Sequence, residues 1–226
     1  MMKKILLSAL FALFITSAFA QSYENLVKED WAQFGRYATA NSEVSVSPKV
    51  VYMGDSITER WVKAHPDFFN NNNFAGRGIS GQTTSEMLCR FRPDVIELHP
   101  KYVAIMAGTN DIAMNNGNIS LENMLDNIIS MCELAKANKI KVLLCSVPPC
   151  KQFPWRLQAE CRDRIPAFNT MLKEYAQNTK GVTYIDYFSA LTDGNNACIE
   201  KYTLDNCHLT PAGYDVIEAI ILNYIK

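Results

Sequence analysis

Ser56, Asp205 and His208 are the residues of this chain whose types could share one proton relay. A serine hydroxyl attacks poorly until a neighbouring base takes its proton. The chain has three histidines to supply that base. His65 and His99 each precede a proline and read as loop or helix-end residues. His208 lies in LDNCHLTPAGY (Leu204 to Tyr214), three residues after Asp205. A short Asp-x-x-His turn can set a carboxylate against one imidazole nitrogen and leave the other facing outward as a base. The plainer reading, in which Asp205 caps a turn and His208 merely packs, leaves Ser56 unexplained.

Acyl transfer also needs donors for the oxyanion of its tetrahedral intermediate, each typically supplying about a hundred- to a thousand-fold in rate. Three are available in glycine-bearing turns: the backbone N–H of Ser56, that of Gly81 in Gly78-Ile79-Ser80-Gly81, and the side-chain amide of Asn110 in Gly108-Thr109-Asn110-Asp111. Taken singly, glycine and asparagine are ordinary turn residues. Asp55 reads as a residue that fixes the turn before Ser56, and Asp111 as a turn or cap residue. The irregular stretch SVPPCKQFPWRLQAECRDR contributes two tentative substrate contacts. Trp155 could stack on a sugar ring or line an acyl pocket, or simply anchor the loop. Arg156 could bind an anion or stay solvated. No spacing of histidine, cysteine and carboxylate points to a catalytic metal, and no cofactor is expected.

These turns need a scaffold that gathers them. Val50–Met53, Asn73–Gly78, Tyr102–Gly108, Lys141–Val147 and Val182–Tyr187 read as strands, the stronger ones continuously apolar as in a parallel sheet covered on both faces. Helical patterns separate them at Thr83–Arg92, Leu121–Asn138 and Arg164–Asn178, with a last one at Pro211–Tyr224 and an N-terminal one near Tyr23–Tyr37. Alternation of this kind predicts an α/β three-layer domain. Function in such sheets gathers at the carboxyl ends of the strands, where Ser56, Gly81 and Asn110 all fall.

Lys3 and Lys4, an apolar run from Ile5 to Ile15 and Ala18-Phe19-Ala20 have the order of a secretory signal peptide. Export to the periplasm or beyond is expected, with cleavage near Ala20. Residues 21–226 then form one domain without a membrane span, able to bury roughly 70% of its unfolded surface. The 22 basic and 23 acidic residues nearly balance, which gives no electrostatic case for binding nucleic acid. Seven cysteines in an exported chain invite disulfides. Cys89, Cys132 and Cys145 lie in apolar segments. The remaining four allow three connectivities, of which local pairing, Cys150–Cys161 and Cys198–Cys207, is the one expected, although sequence does not fix the Cα distances. Oligomeric state is left open.

The blocks GDSIT, GISGQT, GTND and DNCH occur in the order and spacing of the SGNH (GDSL-type) esterase and lipase family. The resemblance runs from about Lys49 to Tyr214. It implies a flavodoxin-like α/β/α fold with a five-stranded parallel sheet. It also implies Ser56 as nucleophile, Asp205 and His208 as acid and base, and Ser56, Gly81 and Asn110 as oxyanion donors. Ile57 stands where the family's name has leucine, and Cys207 beside the expected base where an apolar or small residue is common. Members resembling this chain often remove short acyl groups from carbohydrates, so acetyl esters of carbohydrates are the expected substrates, with lipid esters or lysophospholipids as the alternative. A non-catalytic flavodoxin-like ligand-binding domain would account for the glycine turns but not for the Asp205/His208 pair.

Overall fold

The computed structural model describes residues 30–226. The expected signal segment and residues 23–29 of the expected N-terminal helix lie outside the described residues. The rest of that helix takes a different form. The Asp30 carboxylate accepts the N–H groups of Phe34 (2.9 Å) and Gly35 (2.6 Å), and Gln33 turns the chain with φ 54°. A short 3-10 turn at Phe34–Tyr37 follows, and then α1 (Ala38–Ser42), so a bent pair replaces one helix ending at Tyr37.

Five strands form one parallel sheet: β1 (Val50–Gly54), β2 (Phe74–Gly78), β3 (Tyr102–Met106), β4 (Lys141–Cys145) and β5 (Val182–Ile185). Their order is β2-β1-β3-β4-β5, and Gly54 pairs in register with Gly78 on one side and Met106 on the other. The chain leaves β1 in one direction to make β2 and returns past it to make β3. A crevice therefore opens beyond the carboxyl ends of β1 and β3, the usual ligand position in such sheets.

The apolar strand residues split by parity. Val51 and Met53 face one core, with Met87 and Phe91 of α4 (Thr84–Asp94), Met124 and Ile128 of α6 (Leu121–Ala137), and Phe168 and Leu172 of α7 (Cys161–Gln177). Val50 and Tyr52 face the other, with Ile57 and Trp61 of α2 (Ser56–Ala64) and Tyr214, Ile217 and Ile221 of α9 (Pro211–Leu222). This is the expected three-layer arrangement, and each fully buried aliphatic or aromatic side chain contributes about 1.5–3 kcal/mol to it. Short helices α3 (Pro66–Asn70), α5 (Thr109–Ile112) and α8 (Phe188–Leu191) complete the connections. Among the described residues no helix is long and apolar enough to cross a membrane.

The start of α2 is clamped from α9. Tyr214 donates its hydroxyl to the carbonyl of Ile57 at 2.8 Å, and its ring stacks on Trp61 at 5.8 Å. The Trp61 indole N–H and His65 Nδ1 both meet Oε1 of Glu218, at 2.7 and 2.8 Å. His65 is thus a link between helices, and His99 ends a 3-10 turn with φ 51°; neither approaches Ser56.

The expected disulfides are not formed: all seven cysteines are free thiols. Cys198 and Cys207 pack in different cores. Cys150 does adjoin Cys161, whose thiol donates to the Cys150 carbonyl at 3.1 Å rather than bonding to its sulfur.

Candidate active site

Ser56 is the first residue of α2, immediately after the end of β1. Asp55 caps that helix: its carboxylate accepts the Ile57 N–H at 2.9 Å, as the sequence suggested. The Ser56 N–H occupies a first-turn position with no intrahelical acceptor. Two glycines permit this tight strand-to-helix turn. A Cβ at Gly54 would lie 3.0 Å from the Met106 carbonyl oxygen and closer still to Thr58, and one at Gly78 would lie 2.7 Å from the Asp55 carbonyl oxygen.

His208 is brought 152 positions back along the chain to Ser56, with Nε2 at 3.0 Å from Oγ. Its Nδ1 lies 2.7 Å from Asp205 Oδ2, while Asp205 Oδ1 accepts the backbone N–H groups of Cys207 (3.1 Å) and His208 (2.8 Å). Both carboxylate oxygens are therefore engaged, which fixes the imidazole plane. Burial pushes the Asp205 carboxyl up, but donation from the His208 backbone and ring outweighs it and holds the group below its ordinary value. The pair stays poised as a carboxylate beside the ring nitrogen that does not face Ser56.

The oxyanion candidates converge on the same place. Gly81 has φ +83°, a left-handed conformation that suits glycine. Asn110 lies on α5, after β3; its Nδ2 donates to the Gln82 carbonyl at 3.0 Å, which occupies one of its two N–H bonds. The loop bearing Gly81 is held by Glu59, one turn after Ser56 on α2. Glu59 Oε2 accepts both the N–H (2.9 Å) and the hydroxyl (2.6 Å) of Ser80. Burial raises this carboxyl, but Lys63 and Ser80 together lower it to about 2. Beneath lies Arg90, fully buried, which donates Nη2 to the Gly54 carbonyl (3.1 Å), Nη1 to Asp94 (2.8 Å) and Nε to the Gln82 side chain.

Ser56, Gly81, Asn110 and His208 line a cavity of about 270 Å³, together with Arg60, Ser80, Asn115 and Trp155. Trp155 is 40% exposed, its ring 5.9 Å from the His208 ring and its indole N–H donated to Asn115 Oδ1 at 2.9 Å. The buried Phe153 anchors the loop beside it. Arg156 is a correction to the sequence reading. It does not line the cavity; its Nε donates to the Ala113 carbonyl at 3.1 Å, so it fastens the Trp155 loop to the chain after α5. The sequence reading missed Asn115, whose position beyond the GTND block carries no signal of its own, and Arg60, one helical turn after Ser56. Asp111 accepts the N–H and hydroxyl of Thr84 and so caps α4 from outside. Among the described residues, His65, Asp215 and Glu218 could bring three ligand atoms within 4.8 Å of one another for a metal, but none of them lines this cavity.

The chain matches the GDSL-like Lipase/Acylhydrolase family over residues 52–216. A curated relative, the uncharacterized lipoprotein YqeF of Bacillus subtilis (strain 168), is 30% identical over 130 residues, 50% of this chain and 54% of its own. The chain thus spans about half the length of that relative. A GDSL-like lipase from Bacteroides thetaiotaomicron VPI-5482 is 45% identical, with TM-score 0.83, over 87% of this chain and 98% of its own. A protein of Bacteroides fragilis NCTC 9343 assigned as an acylhydrolase is 46% identical, with TM-score 0.84, over 88% and 98%. The acetyl xylan esterase AlAXEase, 20% identical with TM-score 0.65 over 78% and 99%, shares the fold. The matched residues run from β1 into α9 and enclose every residue that lines the cavity; the chain belongs to the GDSL-like lipase/acylhydrolase family of ester hydrolases.

Proposed function

We propose that this protein is a serine esterase that cleaves short-chain, chiefly acetyl, esters of carbohydrates through an acyl-enzyme at Ser56. The observation that carries the reading is the continuous relay from Ser56 Oγ to His208 Nε2 at 3.0 Å and from His208 Nδ1 to Asp205 at 2.7 Å. The Ser56 oxygen attacks the ester carbonyl carbon while its proton passes to His208 Nε2. Negative charge develops on the carbonyl oxygen, facing the N–H groups of Ser56 and Gly81 and the free N–H of Asn110. Collapse expels the alcohol, which takes the proton back from His208. Water, deprotonated by the same nitrogen, then attacks the acyl-enzyme and releases the acid. Asp205 keeps the ring in one tautomer and offsets the charge it gains.

Two features favour a short acyl group on a carbohydrate. The cavity of about 270 Å³ is small, and the exposed Trp155 ring in its wall gives a flat aromatic surface suited to a sugar face. Export of the protein, read from residues 1–20, would place it where polysaccharide fragments occur. The test is release of acetate and longer acids from acetylated xylan, acetylated sugars, p-nitrophenyl esters of increasing length and lysophospholipid, with Ser56→Ala as control. Preference for acetyl-carbohydrate supports the reading. Preference for long chains or lysophospholipid moves the substrate to lipid, and turnover that survives in Ser56→Ala removes the mechanism.

A further inference from the structure

Three of the seven thiols form a group beside the site. Cys150, Cys161 and Cys207 are each 2% exposed and share one core, whereas Cys198 packs in the other. Cys150 is central, with the thiols of both Cys161 and Cys207 against its own. The two neighbours differ. Cys161 directs its S–H at the Cys150 carbonyl, 3.1 Å away. Cys207 stands on adjoining backbone: the Lys151 N–H donates to the Asn206 carbonyl at 3.2 Å, so the two cysteines are the next residues on either side of one hydrogen bond. That bond holds the two cysteine-bearing segments side by side, and a disulfide requires a Cα separation of about 4.4–6.8 Å.

We infer that Cys150 and Cys207 are a disulfide-forming pair which, once oxidised, ties the loop carrying Trp155 to the turn carrying Asp205 and His208. The oxidant is an external disulfide, of the glutathione type or from a dithiol oxidase. The Cys150 thiolate attacks one of its sulfurs, forming a mixed disulfide and expelling one thiol. The Cys207 thiolate then attacks the Cys150 sulfur and expels the second thiol. One sulfur–sulfur bond is made as one is broken, and the protons of the two cysteines end on the two released thiols. Cys161, whose S–H meets the Cys150 carbonyl, is the competing partner, and peptide mapping separates it from Cys207. The three thiols are buried in the folded chain, so oxidation reaches them during folding, before burial.

The cross-link acts on the site through Asp205. That carboxylate accepts the Cys207 N–H at 3.1 Å, so fixing Cys207 covalently fixes one anchor of the acid, and the loop end at Cys150 lies five residues before Trp155.

The test equilibrates the full chain with reduced and oxidised glutathione, alkylates the remaining thiols and maps linked peptides by mass spectrometry. A Cys150–Cys207 peptide is expected, lost in Cys207→Ala and kept in Cys161→Ala. Reduction is expected to lower the thermal midpoint of wild type by about 10 °C, and to leave Cys207→Ala unmoved. A Cys150–Cys161 peptide, a peptide linked to Cys198, or alkylation of all seven thiols overturns the assignment. The wild-type map decides the matter even if a variant does not fold.

Discussion

The side-chain amide of Asn115 donates to Asn110 Oδ1 at 2.9 Å, and this bond decides which way the Asn110 amide faces. With its oxygen engaged, Asn110 presents Nδ2 to the Gln82 carbonyl and to the cavity. The same Asn115 accepts the Trp155 indole N–H at 2.9 Å. One residue therefore couples Asn110, the proposed oxyanion donor, to the Trp155 ring. Asn115→Asp keeps an acceptor for Trp155 but loses the donor to Asn110. On p-nitrophenyl acetate it should lower kcat about ten- to a hundred-fold with KM little changed, whereas Asn115→Ala should disturb both. Equal kcat in wild type and both variants would show that Asn110 is oriented without it.

Removing the groups proposed to react should give a graded series. Asn110→Ala should cost about 10²–10³ in kcat, the usual loss for one oxyanion donor. Asp205→Asn should cost about 10⁴, because a neutral amide lets the ring take the wrong tautomer. Ser56→Ala should abolish turnover while leaving the circular dichroism spectrum intact. Steady-state kinetics on one chromogenic ester checks all three, and an Asp205→Asn variant near full activity would remove Asp205 from the relay.

Arg90 and Asp94 form a buried ion pair at 2.8 Å, the side chains 0% and 2% exposed. Burial lowers the Arg90 pKa, and Asp94 partly restores it. Removing one partner leaves an uncompensated buried charge, which typically costs about 3–5 kcal/mol. Arg90→Met should therefore lower stability by about that amount and also reduce kcat, since the Gly54 carbonyl and the Gln82 side chain lose their donor. Urea unfolding and kinetics on the same sample measure both. A loss below about 1 kcal/mol would mean that Asn41, which already donates to Asp94 at 2.7 Å, and the nearby Arg77 are enough to hold its charge.

Much of this was legible in the chain. The continuous apolar strands and intervening amphipathic stretches gave the layers and the parallel sheet, because burial on both faces leaves a pattern that local residues carry. The residues brought around Ser56 were legible because each follows a strand end or a turn with its own glycine or Asp-x-x-His spacing. What was not legible depends on contacts distant in sequence. Asn115 works through the orientation of two neighbours, Arg156 finds the Ala113 carbonyl only after the loop closes, and Arg90 reads as one more helix-face arginine until Gly54 and Gln82 are placed against it. The cysteine pairing failed for the same reason: proximity in sequence favoured Cys198–Cys207, while the sheet puts them in separate cores.

Asp55 gives a pH-dependent signature of the turn that presents Ser56. It is 1% exposed, and burial raises its pKa from 3.8 to about 6, against the lowering effect of the Ile57 N–H and the Thr109 hydroxyl; the Asp111 charge raises it further. The native state thus holds this proton more tightly than the unfolded chain does. Its stabilising contribution is full below about 3.8 and is lost as pH rises through about 6, a change of order 3 kcal/mol. Asp55→Asn keeps an oxygen for the Ile57 N–H and cannot titrate, while groups not coupled to Asp55, including Glu59 with its opposite trend, cancel in the comparison; Asp111, which feels the Asp55 charge, contributes only the smaller part. The stability of Asp55→Asn relative to wild type should therefore rise by about 2.5 kcal/mol from pH 4 to pH 7. Urea unfolding midpoints of the two proteins at those pH values measure it, and a difference that stays constant across the range would show that Asp55 is no harder to ionise in the folded protein than in the unfolded chain.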